Sequence, residues 1–339
     1  MGADDALRVA TFNTELSRKG PGLLLRDIAR GEDPQVTATL DVIVAANADI
    51  LVLQGFDYDL TGAALTAYVD ALRARGIDYG YSFSARPNTG FPTGLDMDGD
   101  GHLGDARDAQ SYGQFSGQGG MALLSRYPID YAGIRDFTDV LWRDVPGALL
   151  PETEAGPFPS AEAQAIQRLS NVNHWAVPVV VPDLGTVEVL TLHASPPVFD
   201  GPEDRNGRRN HDEILFWQHY LSGRFGAAPE GRFVLMGDLN QDPLGGEGIK
   251  TAITGLLADP RLQDPKPGSD GSLAATGDAL DTADWTDPVP GNLRVDYVLP
   301  SADWQVLDAE VIWPEPDTPL GQTAIAASRH RLVWVDLAP

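Results

Sequence analysis

The stretch DMDGDGHLGD, Asp96 to Asp105, sets an aspartate at every second position and then turns on a glycine. This spacing puts oxygen ligands at positions 1, 3 and 5 of a cation loop (Asp96, Asp98 and Asp100). It also puts a glycine at position 6 for the sharp turn and a backbone carbonyl, that of His102, at position 7. The bidentate glutamate of a full EF-hand loop would fall at position 12, which is Arg107, so Asp105 or Asp108 is the available substitute. Five aspartates lie between 96 and 108 and repel one another without a cation. A structural Ca2+ that orders the surrounding loop is therefore expected; the ordinary alternative is an acidic surface loop.

A second group of polar residues gathers at the ends of apolar runs. ATFNTEL carries Asn13 and Glu15, two apart, so that in a strand their side chains share a face. LTLHASPP places His193 at the end of its run, and VLMGDLNQDP places Asp238 and Asn240. LRVDYVLPS holds Asp296 between apolar neighbours, and ASRHRLVWVDL puts His330 just before the last apolar run. Singly, these residues have plain explanations, since Asp and Asn make turns and a lone histidine is commonly structural. Together, each beside a strongly apolar run, they exceed what a core needs. Strand ends leading into loops are where α/β enzymes place their chemistry. DILVLQGFDYD ends the same way, with Gly55 followed by Asp57 and Asp59. GPEDRNGRRNHDEI (201–214) crowds Arg205, Arg208 and Arg209 among amides and acids. It serves equally as a phosphate- or substrate-binding cluster or as a charged helix start.

Short, β-branched apolar runs read as the buried strands that position these groups: 7–12, 50–53, 120–124, 174–181, 187–193, 233–236, 294–299 and 331–337. Helices are predicted over 35–46, 61–75, 208–222 and 246–258, the second and third with apolar residues at i, i+3/i+4 spacing. The Pro/Gly-rich stretches 84–118, 143–161 and 262–291 read as long loop insertions in a single domain spanning 1–339, and such loops are commonly functional. Strands come both in pairs and alternating with helices, which fits a mixed-sheet α/β or α+β fold.

With 339 residues, 42% of them hydrophobic, the chain has material for a large core. No run approaches the ~18 apolar residues of a membrane span. Cysteine is absent, which excludes disulfides, thiolate metal sites and cysteine nucleophiles. The formal net charge of −25 opposes capture of duplex nucleic acid, whose affinity comes from Lys and Arg neutralising phosphates. A small or flexible anionic substrate, or a cation, suits the bulk charge better. MGADDALRVA has neither the basic start nor the apolar stretch of a signal peptide. A calcium loop still favours a periplasmic or secreted location, and nothing in the sequence names a protein partner.

Taken in order, TFNTE, DILVLQ, GGMALLSRYPI, TLHASPP, LMGDLNQDP, RVDYVLPS and SRHRLVWVDL resemble the endonuclease/exonuclease/phosphatase superfamily from about Leu7 to Leu337. The resemblance implies a four-layer α/β sandwich: two mixed β-sheets packed face to face, with helices outside. It also implies cleavage of phosphate esters with help from a divalent cation (Mg2+, Mn2+ or Ca2+). By the same resemblance, His330 meets the phosphate and Asp296 orients it. His193 is a second histidine at the scissile phosphate, and Asp238 with Asn240 positions or activates water. Asn13 and Glu15 lie beside the cation. Phosphoryl transfer needs positioning and charge neutralisation more than covalent chemistry.

Two positions depart from that pattern. The superfamily's Leu-Gln-Glu, whose glutamate is the principal magnesium ligand, is Leu53-Gln54-Gly55; its Ser-Asp-His is Ser328-Arg329-His330. Two negative charges go and one positive charge arrives. One account moves the metal, with Asp57 or Asp59 reaching back through space left open by Gly55. A second gives part of the metal's work to Arg329, whose planar fork suits phosphate oxygens. A third retires the site to binding alone. The expected function is phosphodiester or phosphomonoester hydrolysis, with nucleic-acid cleavage and pure phosphate-ligand binding as its rivals.

Overall fold

The apolar runs become strands because each of their faces finds a partner. The computed structural model of the chain describes residues 6–286 and 288–339. Strand β1 (Leu7–Leu16) is followed by helices α1 (Leu23–Arg30) and α2 (Pro34–Ala46), then β2 (Ile50–Phe56), α3 (Ala63–Arg73), β3 (Tyr81–Phe83), β4 (Gly120–Ser125) and β5 (Arg135–Asp136). A small hairpin, β6 (Glu152–Thr153) with β7 (Gly156–Pro157), and α4 (Ala161–Ile166) lead into β8 (His174–Val181) and β9 (Gly185–His193). The chain continues with α5 (Arg205–Leu221), β10 (Phe233–Asp238), α6 (Thr251–Leu257) and α7 (Asp270–Thr276). It closes with β11 (Asp296–Pro300), β12 (Gln305–Val311), α8 (Pro319–Ala327) and β13 (Val333–Ala338).

Two mixed sheets result. One has the order β12-β13-β1-β2-β4-β3, with β1 and β2 parallel and its other pairs antiparallel. The other runs β11-β10-β9-β8-β5, with β9 and β10 parallel. Strand alternation sorts the core into layers. In β2, Ile50 and Val52 enter the core between the sheets, while Leu51 and Leu53 pack under α1, α2, α3 and α8. In β10, Val234 and Met236 face the first sheet, and Leu235 faces the helices α5 and α6. The layers are thus helices, sheet, sheet, helices, the α/β sandwich that the family resemblance implies. No described helix is long and apolar enough to cross a membrane.

The same alternation positions the polar residues. Asn13 follows Val9 by two periods, His193 follows Val189, Asp238 follows Met236, and Asp296 precedes Val298. Each therefore points into the seam between the sheets, at the edge where the parallel strands end. Gly237 makes one approach possible. Its φ is +156°, and a Cβ there would lie 2.2 Å from the Leu192 carbonyl oxygen of the neighbouring strand.

Some elements depart from expectation. The helix expected over 246–258 starts only at Thr251, since the glycines at 245, 246 and 248 form a turn of left-handed and close-packed backbone instead. Asp296 opens its strand and is not inside it. The stretches read as loops hold β6, β7 and α7, and α1, β12 and α8 had no counterpart in the predicted elements. Helix α8 starts on Thr318, whose hydroxyl accepts from the Gly321 N–H, a cap signal hidden in a Pro-rich stretch.

Candidate active site

The seam ends in a cluster of buried polar side chains. His330 Nδ1 lies 2.9 Å from Asp296 Oδ2 and 3.2 Å from Oδ1. Asp296 is held in turn by Thr282, whose hydroxyl donates to Oδ2 at 2.9 Å while its oxygen accepts the N–H groups of Val295 and Asp296 at 3.0 Å. The Trp285 ring packs nearly perpendicular to the His330 imidazole at a centroid distance of 5.3 Å. Burial alone would strip the proton from this imidazole. The charges of Asp296 and Asp238 outweigh burial and hold His330 well above the ordinary histidine range. His330 is therefore an imidazolium at neutral pH.

Asp238 is fully buried beside it. Its Oδ1 accepts the Asn240 N–H at 2.8 Å, and its Oδ2 accepts Asn13 Nδ2 at 2.8 Å and Asn240 Nδ2 at 3.3 Å. Asn240 adopts φ +49°, which turns its amide back to the Ala194 carbonyl at 3.0 Å and to Asp238. Burial lifts the Asp238 carboxyl above the usual carboxylate range; the His330 charge works against this lift and Asp296 adds to it. His193 Nε2 lies 3.4 Å from Asp238 Oδ2. Burial and the His330 charge push the His193 imidazole well down, so it is neutral. Two histidines in opposite protonation states thus flank one carboxylate. Asn13 Nδ2 also lies 3.5 Å from His330 Nε2. With the ring protonated, both of these atoms carry hydrogen. The Nε2–H is therefore not accepted by Asn13 Nδ2.

Glu15 and Asn13 do not share a face as their spacing implies. The pairing of β1 with β2 shifts between Asn13 and Leu16, and Glu15 takes φ +48°. This bulge turns Glu15 away from the seam and onto the segment before β13. There it accepts the Arg329 backbone N–H at 2.8 Å and Arg329 Nε at 2.8 Å, with Nη2 on the same oxygen and the Ser328 hydroxyl at 3.1 Å. Burial opposes ionisation of Glu15, yet the Arg329 hydrogen bonds hold its carboxyl below the usual range.

Gly55 does not leave open space. It sits at φ +66°, and a Cβ would come 2.5 Å from Asn13 Oδ1 and 2.9 Å from the Glu15 backbone nitrogen. Asp57 is buried with its oxygens on the backbone N–H groups of Arg18 and Gly119, each at 2.8 Å. Asp59 accepts the N–H groups of Ala63 and Ala64 at the start of α3. Both aspartates next to Gly55 are thus bound to backbone.

The 96–108 loop folds on itself. Asp96 accepts the N–H groups of Gly99 and Gly101, and Asp108 those of Met97 and Gly104. Carboxylate oxygens of Asp98, Asp100 and Asp105 lie within 4.8 Å of one another, as do those of Asp96, Asp98 and Asp108. Arg107 approaches Asp98 at 3.5 Å, and the His102 ring is exposed. Arg205 lines a cavity with this loop and His193, whereas Arg208 donates to the Glu203 carbonyl. Sequence reading passed over Thr282, Trp285 and Ser195. The first two lie in a stretch read as a long insertion, and Ser195 hides in the turn-like ASPP.

Residues 10–330 match the endonuclease/exonuclease/phosphatase family. No curated protein matches. Among solved structures, an endonuclease/exonuclease/phosphatase of Beutenbergia cavernae superposes with a TM-score of 0.58 at 20% identity, covering 98% of this chain and 71% of that one. A mannosyl-6-phosphatase of Bacteroides thetaiotaomicron gives 0.51 at 16% identity, covering 98% and 100%. Sphingomyelinase C of Streptomyces griseocarneus gives 0.51 at 18% identity, covering 98% and 99%. At these identities the structures speak for the fold, and the match over 10–330 speaks for descent: this chain belongs to the endonuclease/exonuclease/phosphatase family.

Proposed function

We propose that this chain hydrolyses phosphate esters with water as the nucleophile, and that Asp238 and His330 carry the two proton transfers. The observation that carries this reading is the geometry of three buried side chains: Asp296 fixes the His330 ring through Nδ1 at 2.9 Å, and the Asp238 carboxylate lies 3.8 Å from the same ring. The water oxygen bonds to phosphorus as the ester P–O bond breaks. One water proton passes to Asp238, and the departing alcohol oxygen takes the Nε2 proton of His330. Neutral His193 and Asn240 border the same carboxylate and are assigned to the phosphoryl oxygens. The net charge of −25 favours a small or flexible ester over duplex nucleic acid. Release of p-nitrophenol from bis(p-nitrophenyl) phosphate or its monoester tests the reading. The wild type should turn over at least one of them, His330→Ala and Asp238→Asn should lose at least about a hundredfold, and a wild type inert to both would end it.

A divalent cation at the family's usual place does not fit these residues. Gly55 supplies no ligand, Asn13 Oδ1 accepts the Glu15 N–H at 3.2 Å, and the Glu15 carboxylate is already neutralised by Arg329. The Asp238, Asp296 and His330 atoms are close enough to be a candidate metal group. Their geometry is better accounted for by the His330 Nδ1–H donated to Asp296, with Asp238 3.8 Å away, since both carboxylates already accept hydrogen bonds. Calcium in the 96–105 loop is proposed separately, on the Asp-x-Asp-x-Asp-Gly spacing and the converging oxygens of Asp98, Asp100 and Asp105.

A further inference from the structure

His193 and Asp238 come from two different strands and must arrive at one point. Strands β9 and β10 run parallel, and the two residues stand opposite each other in register. The ladder gives one more bond, from the Ala194 N–H to the Asp238 carbonyl at 2.9 Å, and then stops. Pro196 and Pro197 carry no N–H to continue it, and Asn240 turns the other chain away at φ +49°. The carbonyls of Ala194, Ser195 and Leu239 are left at buried residues, where each needs a donor. Asn240 Nδ2 takes the first at 3.0 Å. One side chain takes the other two: Asn210 Nδ2 donates to the Ser195 carbonyl at 2.7 Å and to the Leu239 carbonyl at 2.8 Å.

Few groups can make this bridge. It needs two hydrogens on one short side chain. Serine and threonine offer one, an ionised aspartate offers none, and glutamine carries the same amide one methylene further out. Asn210 is fully buried, and its Oδ1 has no partner among the described residues. An acceptor left unmet inside the core is costly, and the double bridge is what offsets it. The support behind Asn210 is firm. Glu213, on the same side of α5, accepts the Ser195 N–H at 2.6 Å. Helix α5 thus holds Ser195 by both its N–H and its C=O, while Ile214, Phe216 and Trp217 seat the helix in the core. The Leu239 N–H continues to the Val295 carbonyl at 2.9 Å, beside Asp296. Ser195 lies two residues beyond His193, and Leu239 follows Asp238 directly. The distance at stake, His193 Nε2 to Asp238 Oδ2, is 3.4 Å. That is the long end of a hydrogen bond, where a small slip of either strand exit breaks the contact. We infer that Asn210 is a positioning residue: its amide ties the exits of β9 and β10 together and so keeps His193 in contact with Asp238. The inference rests on the phosphoester reading and deepens it.

A double-mutant cycle on the intact protein tests this. With bis(p-nitrophenyl) phosphate or its monoester, Asn210→Ala should lower kcat by at least about tenfold and leave KM within about twofold. In a His193→Ala background the same change should cost less than about twofold, because the contact it serves is already gone. An asparagine that only supports the fold would cost the same factor in both backgrounds. Equal losses would therefore overturn the inference, as would an Asn210→Ala protein with wild-type kcat. Nitrogen-15 spectra of the histidine rings give a second reading that needs no turnover. At pH 7 the His193 resonances should move in Asn210→Ala. Those of His219, further along α5 with Nε2 on the Pro146 carbonyl at 2.8 Å, should stay in place. Unmoved His193 resonances would overturn the inference. A wild type inert to both esters ends the phosphoester reading, and the spectra then still decide whether Asn210 holds His193. If Asn210→Ala does not fold, Asn210→Gln, which pushes the amide out by one methylene, takes its place in every measurement with the same outcomes expected.

Discussion

Arg329 and Glu15, 314 positions apart, meet through Nε, Nη2 and the Arg329 backbone N–H, all donating to one carboxylate. The arginine that replaces an expected acid is therefore not a free cation beside the reacting centre. Its charge is matched by the one carboxylate near Asn13 that was expected to hold a metal. The charge count read from sequence, two negatives lost and one positive gained, overlooks this pairing, which occupies the Glu15 carboxylate.

Replacing Arg329 by aspartate should release Glu15 and add a second carboxylate next to it. Mg2+ binding, followed by calorimetry, is expected to be stronger in Arg329→Asp than in wild type. Equal affinity in the two proteins would count against the ion pair as the block. Stability should change little in Arg329→Ala at pH 7, by about 0.5 kcal/mol, because Arg329 is largely exposed and screened. The sign follows from Glu15, whose folded pKa is depressed. Its contribution is present above the ordinary carboxylate range and is lost as pH falls through the lowered value.

Restoring the missing glutamate alone should fail. Gly55→Glu puts a Cβ at φ +66°, 2.5 Å from Asn13 Oδ1 and against the Glu15 backbone. A left-handed non-glycine residue costs on the order of 1–3 kcal/mol before any clash is counted. Urea unfolding should show a loss of at least about 2 kcal/mol. A Gly55→Glu protein as stable as wild type would mean that the bulge of β1 and β2 rearranges freely.

The difference between these two positions marks what the sequence made legible. The seam residues Asn13, His193, Asp238 and Asp296 were readable because they lie on strands, where the period of two carries a core-facing pattern straight into the site. Glu15 and Gly55 were misplaced because one bulge breaks that period, and nothing in TFNTEL or LQGFD marks it. Thr282 and Trp285 escaped because they come from a long segment without periodicity, whose path depends on the finished fold. Helices α3 and α5 were visible from their apolar stripes. Helix α1, eight residues opened by Gly22, was too short and too weakly signalled to stand out.

Calcium is expected to bind the wild-type protein with a stoichiometry of one at the 96–105 loop. In Asp98→Asn, one of the converging carboxylates is neutralised, and the affinity should fall by at least about tenfold. Thermal unfolding should show a rise in Tm with millimolar calcium in the wild type and a smaller rise in the variant. An unmoved Tm in both, together with a flat calorimetric titration of metal-free protein, would leave the loop as a self-bonded turn.

The pH profile offers the most direct test of the two proton carriers. Asp238 must be ionised to accept a proton, and its carboxyl is raised by burial, so the acid limb should lie above the ordinary carboxylate range. His330 must be protonated to donate, and Asp296 and Asp238 hold it up against burial, so the alkaline limb should lie above the ordinary histidine range. The profile of kcat/KM should therefore be a bell displaced to alkaline pH. Asp296→Asn removes the leading charge that raises His330 while keeping a side chain of similar shape. Its alkaline limb should move down by about one unit or more, the equivalent of 1.4 kcal/mol lost from the imidazolium, and activity at pH 8 should fall more than at pH 6. An alkaline limb that stays in place in Asp296→Asn would show that the titrating group is not His330 and that the proton donor must be sought elsewhere in the seam.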